Sequence, residues 1–234
     1  MNFRNIHYAR FTVPPLSEEG MKDFENLVLD PYTGGKQRYR RFSQFRLWFE
    51  NGDWHTQLLP HRPFIQSRIY NGVAGGVRRE FHPIRFDPTP QAAAGARAAH
   101  FDETQIYQIN VHQVRVVTSA EIKGVAVAEG PHRDGHDFVM NAIYSRNNIT
   151  GGVSQLMPTG GGSCFFEDVL QKHEAIIMAD DKLWHHATDI IPANEQPGHR
   201  DILIITFNAW ERRRYGDEFE RRHGEIGDEE AVTP

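Results

Sequence analysis

The sequence predicts a mainly β (α+β) fold, an antiparallel barrel or sandwich with helices flanking it on the N-terminal side. From Ile106 onward, apolar residues alternate with polar ones or form short runs, which is the pattern of β-strands. Glycine-rich turn segments at 147–152 and 158–162 separate these runs. No helical pattern lies between them, and strands that follow one another without intervening helices favour antiparallel pairing over a parallel α/β sheet.

Two helices are predicted upstream of this β-rich region. Residues 16–29 carry apolar side chains three or four positions apart, and Ser17 can cap the N-terminus. A second helix starts at Thr89, the predicted cap, with Pro90 at the first helical position, and it runs to about residue 100. The charged tail begins as a helix and is expected to fray from Gly224.

The strands are predicted, in chain order, at 42–49, 64–70, 106–118, 124–128, 138–144, 174–179, 183–191 and 201–209. No internal repeat and no long linker divides the sequence, so we predict a single domain over 1–234. Within it, 1–105 supplies helices and strands that support the core and the substrate pocket. Residues 106–210 form the core, and 211–234 form a charged tail.

Composition excludes several classes of protein. The chain has 26 Lys and Arg against 31 Asp and Glu, a net charge of −5, which disfavours a nucleic-acid partner. It contains no apolar run of the roughly 20 residues that span a membrane, and its start lacks the layout of a signal peptide. We therefore expect a cytoplasmic protein. A single cysteine rules out an internal disulfide or a cysteine-held metal cluster, whereas 13 histidines favour a metal held by nitrogen and oxygen.

The segment from Glu129 to Gly135 contains a histidine and an aspartate two positions apart. If His132 begins an extended segment, its side chain and that of Asp134 project to the same side. An imidazole and a carboxylate placed in this way can bind one metal ion. The alternative interpretation is a polar turn that ends at Gly135, and the pair alone does not decide between the two.

A third ligand is available in the histidine pair at 185 and 186. Neighbouring residues of a strand point to opposite faces, so only one of His185 and His186 can face a site inside the barrel. Two histidines and one carboxylate form the facial triad of non-haem Fe(II), although zinc enzymes use a similar set. The alternative is a core histidine bonded to a nearby carboxylate, with an exposed neighbour.

Arg200 opens the last hydrophobic strand, where a guanidinium is costly unless an anion partners it. It could pair with the adjacent Asp201, or it could grip a dicarboxylate cosubstrate such as 2-oxoglutarate with its planar fork. Arg146, near the 151–152 turn, is a candidate for a substrate carboxylate. The arginines of 38–41 indicate a local salt-bridged face or a lid contact rather than an RNA site, because the chain is acidic.

Several motifs occur in one order along the chain and resemble the bacterial 2-oxoglutarate/Fe(II) dioxygenases that include L-isoleucine 4-hydroxylase. They are Glu129-Gly-x-His132-Arg-Asp134-Gly, Asn147-x-Ile-x-Gly151-Gly152-x-Ser154, Asp180-Asp181, His185-x-x-Thr188 and Arg200-Asp201-x-Leu-x-Ile-Thr-Phe207. The resemblance covers 106–208 strongly and 39–43 and 66–71 more loosely. The chain departs from the family at Ala128, where proline is usual, which we interpret as a change in the loop entering the site.

This resemblance implies a double-stranded β-helix (jelly roll, cupin-like) in which His132, Asp134 and His185 hold Fe(II) and Arg200 binds 2-oxoglutarate. It selects His185 over His186 because the family's third ligand is followed three positions later by threonine, here Thr188. With an aspartate as ligand, halogenation is disfavoured, because halogenases of this chemistry lack the carboxylate.

The expected activity is hydroxylation of an aliphatic carbon of a small substrate, a free L-amino acid or a derivative. The reaction would consume 2-oxoglutarate and O2 and release succinate and CO2, while desaturation or ring closure stay open. The alternative is a non-catalytic metal-binding jelly roll with a regulatory or ligand-binding role. Arg200 separates the two, since a pure metal-binding barrel has no need of a guanidinium there. The sequence does not indicate the substrate's identity or the oligomeric state.

Overall fold

A computed structural model describes residues 3–72 and 74–224 of the chain. Short helices and turns connect its strands. The helices are α1 (Phe3–Ile6), α2 (Glu18–Lys22), α3 (Thr89–Ala98) and α4 (Asp217–His223), with 3-10 turns at Asp23–Asn26, Pro31–Thr33 and Trp210–Arg212. The strands are β1 (Tyr8–Thr12), β2 (Val28–Leu29), β3 (Arg38–Glu50), β4 (Asp53–Leu58), β5 (Tyr107–Thr118), β6 (Phe138–Asn147), β7 (Ile149–Gly151), β8 (Ser154–Pro158), β9 (Phe166–Asp168), β10 (Glu174–Ala179), β11 (Leu183–Ala187), β12 (Ile190–Pro192) and β13 (Gly198–Ala209).

The strands form one large antiparallel sheet and two small ones. The large sheet has the order β1-β10-β6-β13-β5-β3-β2, with β4 paired to β3, and the small sheets are β11-β8-β9 and β12-β7. Apolar side chains of the large sheet, such as Val114 and Ile143, pack against Leu156 and Leu183 of the three-stranded sheet. This arrangement of facing antiparallel sheets is the jelly roll, so the predicted mainly β fold is confirmed.

Strands from both halves of the chain share the large sheet. β1 pairs with β10, and β3 pairs with β5 along ten residue pairs from Arg38–Val116 to Leu47–Tyr107. The N-terminal 1–105 segment therefore extends the sheet to which the later strands belong. On this basis we propose that the chain forms one domain, as the sequence predicts. Among the described residues, no helix combines the length and apolarity needed to cross a membrane.

Helix α3 covers the outer face of the large sheet. Its alanines lie in a core with side chains of β5, β6, β10 and β13, and Gly95 brings the helix close to the sheet. A Cβ on Gly95 would lie 2.8 Å from Met140 Sδ and 3.3 Å from Phe207 Cζ. The glycine that weakens the helix in the sequence is therefore required by packing.

Replacing Gly95 by valine is expected to lower the free energy of unfolding by about 1–3 kcal/mol, because side-chain atoms would be forced into a filled core. Chemical denaturation measures this, with Gly72→Ala as a comparison in a turn, where no atom lies within 4 Å of the added Cβ and φ is not positive. Equal or greater stability of the Gly95→Val protein would contradict this packing.

Four of the predicted elements are wrong in extent or type. The first helix ends at Lys22 instead of 29, because Val28 and Leu29 pair with β3 as a strand. Residues 124–128 form a single bridge rather than a strand, and their apolar side chains line a cavity instead. In 64–70 only Phe64 makes a bridge, and a turn follows.

The predicted strand at 183–191 is two strands, β11 and β12, which belong to different sheets. The other long strands and the second helix are confirmed, with the helix at Thr89–Ala98. The predicted cap is wrong, because Thr89 is the first helical residue and Pro88 occupies the cap position without a side-chain hydrogen bond. The predicted helical start of the tail is confirmed by α4, and the fraying predicted beyond Gly224 falls on 225–234, outside the described residues.

Candidate active site

A backbone bridge places two histidines opposite each other at one end of the three-stranded sheet. The His132 N–H donates to the His185 carbonyl at 3.1 Å, and the His185 N–H donates to the His132 carbonyl at 2.9 Å. Their ring centroids are 4.4 Å apart. Asp134, two residues further on, places Oδ1 3.5 Å from Nε2 of His132 and Oδ2 3.5 Å from Nε2 of His185. The sequence-predicted pair and its third ligand thus meet within 4.8 Å.

Asp180 holds the loop that carries Asp134. Its buried carboxylate accepts hydrogen bonds from the backbone N–H groups of Asp134, Gly135 and His136 at 3.1, 2.7 and 3.0 Å. Gly135 has a φ of +80°, and a Cβ there would lie 2.2 Å from the Tyr70 ring, so only glycine fits this turn. The acid of the Asp180-Asp181 motif therefore orients the ligand loop.

The donor atoms fit a divalent metal ion. His132 Nδ1 donates to the Gly130 carbonyl at 2.8 Å. The other ring nitrogen, Nε2, faces Asp134 and is the atom available to a metal ion. Burial lowers the pKa of His132, but the hydrogen bond and charge of Asp134 outweigh it and raise this pKa to about 9. Burial lowers the pKa of His185 to about 4. His185 is thus neutral, and a metal ion would displace the proton of His132.

Asp180→Asn is expected to weaken Fe(II) binding by about 10- to 100-fold, the usual cost of losing a group that orients a ligand. An amide nitrogen would face the backbone N–H donors of the ligand loop and disorder it. Anaerobic Fe(II) titration measures the change, and Asp181→Asn serves as the matched control because Asp181 is exposed. Unchanged affinity in the Asp180→Asn protein would show that this carboxylate does not orient the site.

Arg200 lies on β13 and is 3% exposed. Its Nε has no hydrogen-bond partner, and among the described residues no carboxylate lies within 4 Å of its guanidinium. Asp201, the partner considered in the sequence, binds Arg115 instead at 2.6 Å. Burial, with the positive charge of Arg146 added to it, lowers the pKa of Arg200 to about 10. A buried cation of this kind is expected to bind an anionic ligand.

One cavity of about 1340 Å³, counted with the solvent in its mouth, contains both the triad and Arg200. Apolar side chains also line this cavity, including Val116, Leu156, Ile176 and Ile202. The cavity therefore combines a triad able to bind a metal, a guanidinium and apolar side chains.

Other predicted residues lie at the edges of this arrangement. His186 also lines the cavity but is not among the three residues whose ligand atoms converge. Arg146 is the cross-strand neighbour of Arg200; it donates to the Gly151 carbonyl at 2.7 Å and is not among the residues lining the cavity. Its role at the substrate stays a prediction. His136, four positions after His132, is buried and also lines the cavity.

Sequence reasoning missed several polar side chains of the cavity. Gln66 Nε2 donates to Asp134 Oδ1 at 2.9 Å. Arg38, Arg40 and Arg79 line the same cavity, although the arginines of 38–41 were expected on a salt-bridged face or in a lid contact. The alternation of side chains along a strand could have separated these arginines. Positions 38 and 40 share one face of β3, and Arg41 lies on the other.

Comparison with known proteins agrees with this geometry. Residues 21–206 match the model of the 2OG-Fe dioxygenase family. The chain is 25% identical over 210 residues to a 3(1)-hydroxy-L-isoleucine 4-dioxygenase of Pantoea ananatis (strain AJ13355), covering 84% of this chain and 82% of that protein.

Two solved structures share the fold. A BsmA homologue of Methylobium petroleophilum PM1 is 25% identical, with a TM-score of 0.70 over 82% of this chain and 80% of that one. IDO from Bacillus thuringiensis is 19% identical, with a TM-score of 0.67 over 89% and 92% of the two chains. This second likeness, at its low identity, concerns the fold alone.

The family match also decides between the two functions that the sequence left open. It identifies a 2-oxoglutarate-dependent oxygenase that uses Fe(II), 2-oxoglutarate and O2, rather than a non-catalytic metal-binding barrel. With the facial arrangement of His132, Asp134 and His185 in its cavity, the chain belongs to the 2OG-Fe dioxygenase family.

Proposed function

We propose that this oxygenase hydroxylates an aliphatic carbon of a free L-amino acid or an amino-acid derivative, with release of succinate and CO2. The observation that carries the proposal is the shared cavity, in which the triad and a buried, unpaired Arg200 face the same space. The activity of the Pantoea relative on a hydroxylated isoleucine supports an amino acid as the substrate class.

The residues take separate roles in this proposal. His132, Asp134 and His185 hold Fe(II) from one side, which leaves the opposite coordination positions open to other ligands. Arg200 binds the distal carboxylate of 2-oxoglutarate through its planar fork. Iron with its cosubstrate supplies the oxidation of a C–H bond. The protein positions the substrate and the cosubstrate, and the apolar lining of the cavity excludes water from the reacting atoms.

The test is a screen of the twenty free L-amino acids for succinate release above the rate without substrate, under ¹⁸O2. We expect at least one amino acid to stimulate succinate release and to give a product heavier by one labelled oxygen atom, detected by mass spectrometry. Stimulation by none of them, in protein that binds Fe(II) and 2-oxoglutarate, would contradict an unmodified amino acid as the substrate and leave only a derivative. A product without the label would contradict hydroxylation by O2.

A further inference from the structure

A second group of arginines lies on the same inner face of the large sheet as Arg200. In the pairing of β3, β5 and β13, Arg38 is opposite Val116, and Val116 is opposite Arg200. Arg40 is placed in the same way opposite Val114, one step along the strands. Neighbouring strands are about 4.8 Å apart, so these arginines stand roughly 10 Å from Arg200 across β5.

Arg79 joins Arg38 and Arg40 to form a cationic group that we call the β3 arginine cluster. Arg40 and Arg79 are 6% and 4% exposed, and Arg38 is half-buried. Asp30 contacts the cluster, with Oδ2 3.3 Å from Arg40 Nε, while the more distant carboxylates of Glu129 and Asp134 act on Arg79 through their charge alone. Among the described residues, no carboxylate lies within 4 Å of the guanidinium of Arg38 or Arg79. The Nε atoms of both are buried without a hydrogen-bond partner.

Holding these cations together out of water is costly, since buried charges are normally paired. Burial lowers the pKa of Arg79 to about 10, with the charge of Arg38 acting in the same direction and that of Asp30 against it. Burial also lowers the pKa of Arg40. A bound anion would remove this cost, and the cluster faces the cavity where such an anion can enter.

The cosubstrate does not supply that anion. The charges of Fe(II), Asp134, Arg200 and 2-oxoglutarate cancel, so the iron side of the cavity is neutral when it is loaded. The β3 arginine cluster and Asp30 then retain a net positive charge on the other side of β5. The unmatched charge calls for a second anionic group, separate from 2-oxoglutarate.

We propose that Arg79, together with Arg38 and Arg40, binds a carboxylate of the substrate and thereby fixes which carbon reaches the iron. This assignment rests on the proposed function and narrows it to substrates with a free carboxylate. Glu129 lines the same cavity and provides an acid for the ammonium of an α-amino acid.

A chain of hydrogen bonds joins this anion site to the metal site. Arg79 Nη2 and Asn71 Nδ2 both donate to Gln66 Oε1 at 3.0 Å, and Gln66 Nε2 donates to Asp134 Oδ1 at 2.9 Å. The Arg79 guanidinium also lies over the Phe64 ring, 4.5 Å from its centroid. Arg79 is therefore fixed in place two hydrogen bonds from a metal ligand, which sets the distance between the substrate's carboxylate and the iron.

The experiment measures binding rather than turnover. Protein loaded with Zn(II), which has no redox chemistry, and with 2-oxoglutarate is titrated calorimetrically with each of the twenty L-amino acids. The tightest binder is then compared with its carboxamide. The proteins are wild type, Arg79→Met, Arg38→Met and Arg78→Met. Arg78 is the matched control because its side chain is 52% exposed, does not line the cavity, and pairs with Glu220, which Arg62 also holds.

We expect the amino acid to bind wild type at least tenfold more tightly than its carboxamide, as a charge-assisted pair implies. Arg79→Met is expected to bind the amino acid at least tenfold more weakly than wild type and to bind the carboxamide with unchanged affinity. Arg79→Lys is expected to recover part of the lost affinity for the amino acid. Arg38 makes no side-chain hydrogen bond among the described residues, so Arg38→Met breaks none. This variant should also bind the amino acid more weakly than wild type, but by less than Arg79→Met. Arg78→Met should match wild type.

Three results would overturn the assignment. In the first, Arg79→Met and wild type bind the amino acid equally well. In the second, wild type binds the amino acid no more tightly than its carboxamide. In the third, Arg79→Met loses affinity for 2-oxoglutarate and keeps its affinity for the amino acid. Each leaves the oxygenase function standing if the ¹⁸O2 screen succeeds. A failed screen with intact, Arg79-dependent carboxylate binding would instead reject hydroxylation and keep this site.

Discussion

Replacement of His185 by alanine is expected to abolish Fe(II) binding at micromolar metal and with it all 2-oxoglutarate turnover. Loss of a group that merely orients a ligand costs about 10- to 100-fold in metal affinity, so loss of the ligand itself should exceed roughly 100-fold. His185 is the member of the histidine pair whose Nε2 meets Asp134 at 3.5 Å. Anaerobic Fe(II) titration and succinate release measure the two effects.

His186→Ala is the matched control, since it removes the same ring from the adjacent position of the same strand. Neighbouring strand residues project to opposite sides, and His186 is absent from the converging ligand atoms. We expect its Fe(II) affinity to stay near that of wild type. Loss of iron binding in the His186 variant alone would reverse the assignment of the third ligand.

Arg200→Met is expected to raise the apparent KM for 2-oxoglutarate by about 30-fold to about 5000-fold. Removing one partner of a buried, hydrogen-bonded charge pair costs about 2–5 kcal/mol, which converts to that range of affinity. Fe(II) binding without 2-oxoglutarate should not change, because Arg200 does not contact the triad. Steady-state kinetics in 2-oxoglutarate, beside the metal titration, measures both.

Two further variants separate charge from geometry at this position. Arg200→Lys retains the charge without the planar fork, so we expect an intermediate rise in KM. Arg146→Met removes the neighbouring guanidinium; if Arg146 binds the substrate, as the sequence predicts, the KM for the amino acid should rise instead. A normal KM for 2-oxoglutarate in Arg200→Met would show that the cosubstrate's carboxylate binds elsewhere.

Much of the fold was predictable because its signals are local. The alternation within β5, β6 and β13 reflects faces that are buried or aimed into the cavity, and it is visible in any short window of sequence. The errors arose where apolar residues serve something other than a sheet core. The 124–128 segment is apolar because it lines a cavity. Val28 and Leu29 are not helical because their backbone pairs with β3 as a strand.

The candidate site divides in the same way. His132, Asp134, His185 and Arg200 could be singled out in the sequence because they occur in ordered motifs, and their roles at the metal and the cosubstrate stay predictions. Gln66 and Arg79 could not be singled out, since their meaning depends on contacts with Asp134 and the cavity that only the folded chain creates. The spacing of Arg38 and Arg40 places them on one face of a strand. In the sequence alone, however, that spacing is the same as in a strand whose arginines face solvent.

Anomalous diffraction at the iron edge would show which side chains bind the metal. Crystals grown without oxygen in Fe(II), 2-oxoglutarate and the preferred amino acid would locate the metal and both ligands at once. We expect one iron peak bonded to His132, Asp134 and His185, with the distal carboxylate of 2-oxoglutarate on Arg200. An iron peak away from these three side chains, or 2-oxoglutarate bound at Arg79 instead of Arg200, would contradict the account.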